Sequence, residues 1–144
     1  MNVDRARIQR MVPQAGAMCL LDAVTQWDSR EITCTAAGPN ARHPLARESH
    51  VPSVIACEYG AQAAAVHGAL VDGTRSPRPG MLASLIGVNL HRASFPPETS
   101  SLVVRARMSS RTDSACLYAF EVHADGVALA DGQIMVALSA PERA

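Results

Sequence analysis

The stretch Val51-Pro-Ser-Val-Ile-Ala-Cys-Glu-Tyr-Gly-Ala-Gln62 carries one carboxylate, Glu58, a turn and a half inside a run of small apolar side chains. A charge on the wall of an apolar helix is costly unless it is paired, solvated or used. Its neighbours on such a helix, Ile55, Ala61, Ala65 and Leu70, give it no surface context. If that helix is buried, Glu58 is the first residue at which to expect chemistry. Gln62 lies one turn further on the same side, placed to orient the carboxylate. The plain alternative is a structural acid paired with an arginine across an interface.

The element that must hold Glu58 is a helix with Ser53 as its expected cap, because a serine hydroxyl can accept from an orphan N–H of the first turn. Asp72-Gly73 marks its end, since glycine can take the left-handed cap conformation. Nearly all-round apolarity predicts a buried helix, and its Ala and Gly content lets a sheet approach closely. Ahead of it, residues 1–12 read as a short amphipathic helix stopped by Pro13. Met18–Val24 is apolar, Asp28-Ser29-Arg30 is a turn, and Ile32, Cys34 and Ala36 alternate as a half-buried strand. Residues 40–52, with His43 and His50, have no period and read as an irregular loop.

Beyond the helix, residues 74–80 form a loop, and the rest is rich in strands. Met81–Leu90 is apolar, Leu102–Met108 alternates, and Cys116, Tyr118, Phe120 and Val122 share one face. Ala124-Asp125-Gly126 is a hairpin signal. Val127–Leu138 returns, with a bulge or kink expected near Gly132. Strand, long buried helix, then four strands is an α+β pattern, one helix on an antiparallel sheet. The open sheet edges predict closure by a dimer.

Composition narrows the functions. The chain has 144 residues with 48% apolar content, which suits a single domain spanning 1–144. Its formal net charge is +0, and aromatics are 3%, so nucleic acid is not an expected partner. All 13 basic residues are arginine, which excludes Schiff-base lysine chemistry and a phosphate-loop lysine. Cys19, Cys34, Cys57 and Cys116 have no metal or redox spacing and read as small buried hydrophobes. No membrane span and no signal core at Met1–Arg10 are read, which points to the cytoplasm.

Three segments resemble the hotdog superfamily, and within it the 3-hydroxyacyl-acyl carrier protein dehydratases. They are Met11-Val-Pro-Gln-Ala-Gly-Ala-Met-Cys-Leu-Leu-Asp-Ala-Val24, Pro52-Ser-Val-Ile-Ala-Cys-Glu-Tyr-Gly-Ala-Gln62 and Met81 to Glu98. The texture of 58–68 is similar to the dehydratase-like branch associated with aryl polyenes. In that family a histidine ahead of the central helix and a helix carboxylate share one site across a dimer interface. The carboxylate falls on Glu58 and the histidine on His43, with His50 as a rival. The family's His-Phe-Pro-Gly loop is here His43-Pro44-Leu45-Ala46, and its opening histidine is Gln14, which cannot titrate.

The resemblance implies dehydration of 3-hydroxyacyl thioesters to trans-2-enoyl thioesters in fatty acid or polyketide-like lipid synthesis. His43 would be the base and Glu58 the acid, its pKa raised by desolvation. The N–H groups of Ser53 and Val54 would form an oxyanion hole. Gln62 would line the site behind Glu58. No metal or redox cofactor is implied, because the substrate rides on phosphopantetheine. The expected partners are acyl carrier protein and a second hotdog subunit, identical or related. Arg42, Arg47, Arg75 and Arg78 could dock the acidic carrier. Thioester hydrolysis, and a non-catalytic subunit that pairs with an active dehydratase, are the alternatives on this scaffold. His67 is expected as a hydrogen-bonded core residue, His91 and His123 as surface, and Arg105, Arg107 and Arg111 as the wet face of a strand.

Overall fold

Helix α2 (Ala56–Asp72) is the axis of the fold, and its small side chains set how closely everything else packs. A computed structural model describes residues 3–12, 18–39, 43–47, 50–73 and 80–138. Gln14, Arg42, Arg75 and Arg78 lie outside the described residues. Helix α1 (Arg5–Met11) comes first, capped by Asp4, whose carboxylate accepts from the Arg7 N–H at 3.0 Å. The strands are β1 (Ala23–Trp27), β2 (Glu31–Ala37), β3 (Gly80–Leu90), β4 (Ser101–Arg111), β5 (Ala115–Ala124) and β6 (Val127–Leu138). They form one sheet in the order β1-β2-β4-β5-β6-β3, antiparallel throughout. This is the α+β hotdog arrangement, a long helix wrapped by an antiparallel sheet.

The sheet's inner face follows the alternation in the sequence. Cys116, Tyr118, Phe120, Val122 and Ala124 of β5 are all buried, and so are Leu102, Val104 and Ala106 of β4. They meet Ala56, Cys57, Tyr59, Gly60, Ala63, Ala64 and Val66 of α2. Gly60 is needed for this contact. A Cβ there would fall 2.7 Å from the Phe120 ring, too close for any side chain. The four cysteines are buried and none is in a disulfide, as small hydrophobes would be.

Turns follow the sequence signals. Asp125 and Gly126 have φ of 47° and 83°, the pair of positive angles that a two-residue hairpin needs. Gly73 ends α2 with φ of 63°, and its N–H donates to the Ala69 carbonyl at 3.1 Å. The irregularity expected near Gly132 is a shift of register between Ile86 and Asn89 of β3, which face Gln133 and Asp131. Gly132 admits it, since a Cβ there would lie 2.9 Å from the Val88 Cα.

Three expectations are corrected. Ala23–Trp27 is a strand, the sixth of the sheet. Ser53 does not cap α2: Ser53–Ile55 is a 3-10 turn with no side-chain cap, and the helix begins at Ala56. The cause is the preceding segment, which pairs with residues 93–95. Phe95 N–H donates to Val51 O at 3.0 Å and Ser53 N–H to Ala93 O at 2.9 Å. Finally, Ser53–Asp72 is 20 residues at mean hydropathy 1.2, long and apolar enough to cross a bilayer. In this fold 56% of its apolar window is buried, the inner side against the sheet.

Candidate active site

Glu58 projects from the first turn of α2 and is part-buried. Gln62, one turn on, is 1% exposed, and both polar atoms of its amide are hydrogen-bonded. Its Oε1 accepts from the Leu20 N–H at 2.9 Å, and its Nε2 donates to the Met18 carbonyl at 2.8 Å and to Glu58 Oε1 at 3.1 Å. Gln62 therefore ties the segment before β1 to the helix and holds the carboxylate. Gln62, expected to line the site, has both polar atoms of its side chain on protein partners.

His43 is part-buried in the loop ahead of the helix. Its Nδ1 accepts from the Leu45 N–H at 3.1 Å. In the neutral ring Nε2 then carries the proton, and it donates to the Tyr59 hydroxyl oxygen at 3.1 Å. Burial lowers the pKa of His43, which favours the neutral ring. In this tautomer His43 has no lone pair to take a substrate proton. The expected base is, in this arrangement, a hydrogen-bond donor, because a backbone N–H occupies the nitrogen that would otherwise accept.

Tyr59, absent from the expected site, is the residue that joins His43 to the helix. It is 2% exposed, and its ring centroid lies 5.9 Å from that of Phe95 and 6.1 Å from that of His43. Burial, and then the negative charge of Asp22, raise the pKa of the phenol, so it keeps its proton. A sequence signal existed: a buried tyrosine needs a partner for its hydroxyl. Tyr59 follows Glu58 by one residue, so the two leave the helix about 100° apart.

A cavity of about 300 Å³ opens beside this pair, lined by His43, Tyr59, Arg5, Asp22 and Gly38 among others, but not by Glu58. Asp22 is anchored there, with Oδ1 accepting from Arg5 Nη1 at 3.1 Å and Oδ2 from the Ala37 N–H at 2.6 Å.

The oxyanion hole expected from Ser53 and Val54 is corrected in part. The Ser53 N–H is taken by Ala93 O, while the Ser53 Oγ is buried with no hydrogen-bond partner among the described residues. Val54 points outward at 50% exposure. His50, the rival base, is exposed and exchanges backbone hydrogen bonds with Arg47. His67 is a core residue: Nε2–H donates to the Asp28 carbonyl at 2.9 Å, and Nδ1 accepts from the Tyr118 hydroxyl at 2.7 Å. His91 pairs with Asp131 at the surface, at 2.8 Å. Arg105 pairs with Glu121 at 3.3 Å and Arg111 with Asp72 at 3.1 Å, on strand positions open to water. Among the described residues no group of three or more His, Cys, Asp or Glu could hold a metal ion.

No match was found among curated protein sequences. Solved structures resemble this chain closely in fold. The dehydratase heterocomplex ApeI:P from Xenorhabdus doucetiae superposes with a TM-score of 0.83 at 19% identity, over 92% of this chain and 90% of that one. A thioesterase from Haemophilus influenzae gives 0.69 at 7% identity, over 96% and 92%. A hypothetical thioesterase with coenzyme A from Streptococcus pneumoniae gives 0.63 at 7% identity, over 83% and 87%. At these identities the likeness is one of fold. The family profile described as ApeP dehydratase matches residues 6–143, nearly the whole chain, and the protein belongs to the ApeP-like dehydratase family.

Proposed function

We infer that the protein acts on 3-hydroxyacyl thioesters carried by acyl carrier protein, as one half of a pair of hotdog subunits in the cytoplasm, and yields trans-2-enoyl thioesters. The observation that carries this reading is the Gln62–Glu58 contact of 3.1 Å, which fixes a carboxylate on a helix otherwise built for packing. Dehydration removes a proton from the carbon beside the carbonyl and returns one to the departing hydroxyl, so a carboxylate fixed in place is what it needs. The thioester arrives on phosphopantetheine, and the chemistry asks for no resident cofactor.

Pairing is supported by the sheet. Strand β3 is an edge, and it leaves Leu85, Ile86 and Leu90 at 42%, 42% and 46% exposure. The β1 edge is partly covered by Val3, which bridges to Val24. Exposed edges with aliphatic side chains are surfaces that proteins cover. ApeI:P being a heterocomplex favours a related subunit over a second copy.

Thioester hydrolysis is the second reading, favoured by the thioesterases that share the fold. One assay separates the readings. The chain, alone and with a related hotdog dehydratase subunit, is given 3-hydroxyacyl carrier protein. Enoyl product from the pair is expected. Free thiol would establish the hydrolase instead, and no product in either setting would leave the chain a non-catalytic subunit.

A further inference from the structure

The hydroxyl of Tyr59 has a proton with no acceptor among the described residues, and its direction follows from hydrogen-bond polarity. Leu45 N–H donates to Nδ1 of His43, so the neutral ring carries its proton on Nε2. That proton is directed at the Tyr59 oxygen, 3.1 Å away. The tyrosine is therefore the acceptor in this contact, and its own O–H must point elsewhere. No other described hydrogen bond involves it. It is one of the groups lining the cavity of about 300 Å³ beside His43.

The position is buried. The Phe95 and His43 rings both pack near the Tyr59 ring, with centroids 5.9 and 6.1 Å away, and Tyr59 belongs to the buried residues of α2. A neutral donor fixed this way needs no reorganisation when negative charge develops in front of it, which is what makes an oxyanion donor effective. The Ser53 N–H is bonded to Ala93 O, which leaves the expected oxyanion hole short of one of its two donors.

We propose that the Tyr59 hydroxyl, its oxygen anchored on His43 Nε2–H, donates its proton in a hydrogen bond to the thioester oxygen of an acyl group entering this cavity. Tyr59 is then the oxyanion donor, and His43 the positioning residue that orients it. No bond is made or broken at Tyr59; the O–H polarises the carbonyl while the α-proton is removed by another group. The raised pKa of the phenol supports this, because a phenol that keeps its proton remains a donor across the neutral range. The proposal rests on the reading of the substrate as an acyl thioester, but not on the choice between dehydration and hydrolysis.

The test uses the assembled pair of subunits and a saturated acyl carrier protein thioester, isotope-labelled at the carbonyl carbon, which has no hydroxyl to lose. Infrared difference spectra should show the bound carbonyl stretch at lower frequency than in the free thioester, and Tyr59→Phe should abolish that shift. With a reactive substrate, the same variant should lower kcat by about 10²–10³-fold with KM nearly unchanged. Nitrogen NMR on the unliganded pair should show His43 as the Nε2–H tautomer. A carbonyl shift that survives in Tyr59→Phe, no shift in the parent, or an Nδ1–H ring at His43 would each overturn the proposal. Free thiol instead of enoyl product, with the Tyr59-dependent shift intact, would remove the dehydratase reading and leave the role of Tyr59 standing.

Discussion

Replacing Gln62 by leucine keeps the volume near that of the parent and removes all three of its hydrogen bonds. The Leu20 N–H is buried and loses its acceptor, and the Met18 carbonyl loses its donor. An unsatisfied buried backbone group costs about 1–3 kcal/mol, with the lower end suiting the part-buried Met18 oxygen. Loss of the contact to the part-buried Glu58 adds little, since that group is open to solvent screening. The sum is about 2–4 kcal/mol. For a chain of this length that lowers Tm by roughly 5–15 °C. Thermal unfolding of Gln62→Leu against the parent reads this directly. Glu58→Gln is the comparison: it keeps the side chain's shape and an oxygen that can accept from Gln62, and should cost less than Gln62→Leu. A Gln62→Leu variant as stable as Glu58→Gln would refute the claim that Gln62 ties the segment before β1 to the helix.

Further outcomes follow from the same structure. His67 has its pKa lowered by burial, with the Asp28 carbonyl and charge opposing and Arg111 reinforcing. Its unfolded form binds protons more readily, so stability should be full above about pH 6.5 and fall as pH drops toward the folded pKa, with His43 adding in the same direction. Tm measured from pH 8 to pH 5 should decline, and a flat profile would contradict the burial of His67. Gly60→Ala forces a methyl into the Phe120 ring and should cost about 1–3 kcal/mol, read by denaturant unfolding. Ile86→Lys on the β3 edge should weaken pairing with a related hotdog subunit by at least about tenfold, roughly 1.4 kcal/mol, in sedimentation; unchanged association would place the interface elsewhere.

The parts that were legible in sequence are those governed by local rules. The alternation of β5 is unbroken, so its inner face was readable residue by residue. Asp125-Gly126 forms the hairpin that its positive φ values demand, and Gln62 meets Glu58 because helix spacing puts i and i+4 together. The misses depend on partners distant in sequence. Strand β1 buries only Val24, so no period announces it. Ser53 loses its capping role because residues 93–95 pair with the chain just before the helix. The polarity of His43 is set by the N–H of Leu45 in a loop without periodicity, and Tyr59 matters only once that loop folds over it.

The most direct test is the single-turnover rate of the assembled pair on 3-hydroxyacyl carrier protein, followed by intact mass as water is lost, for the parent and for Glu58→Gln. The account predicts a fall of about 10²–10⁴-fold in the variant, in keeping with loss of a proton-transfer group, at a Tm above that of Gln62→Leu. Loss of water at the parental rate from Glu58→Gln would contradict it.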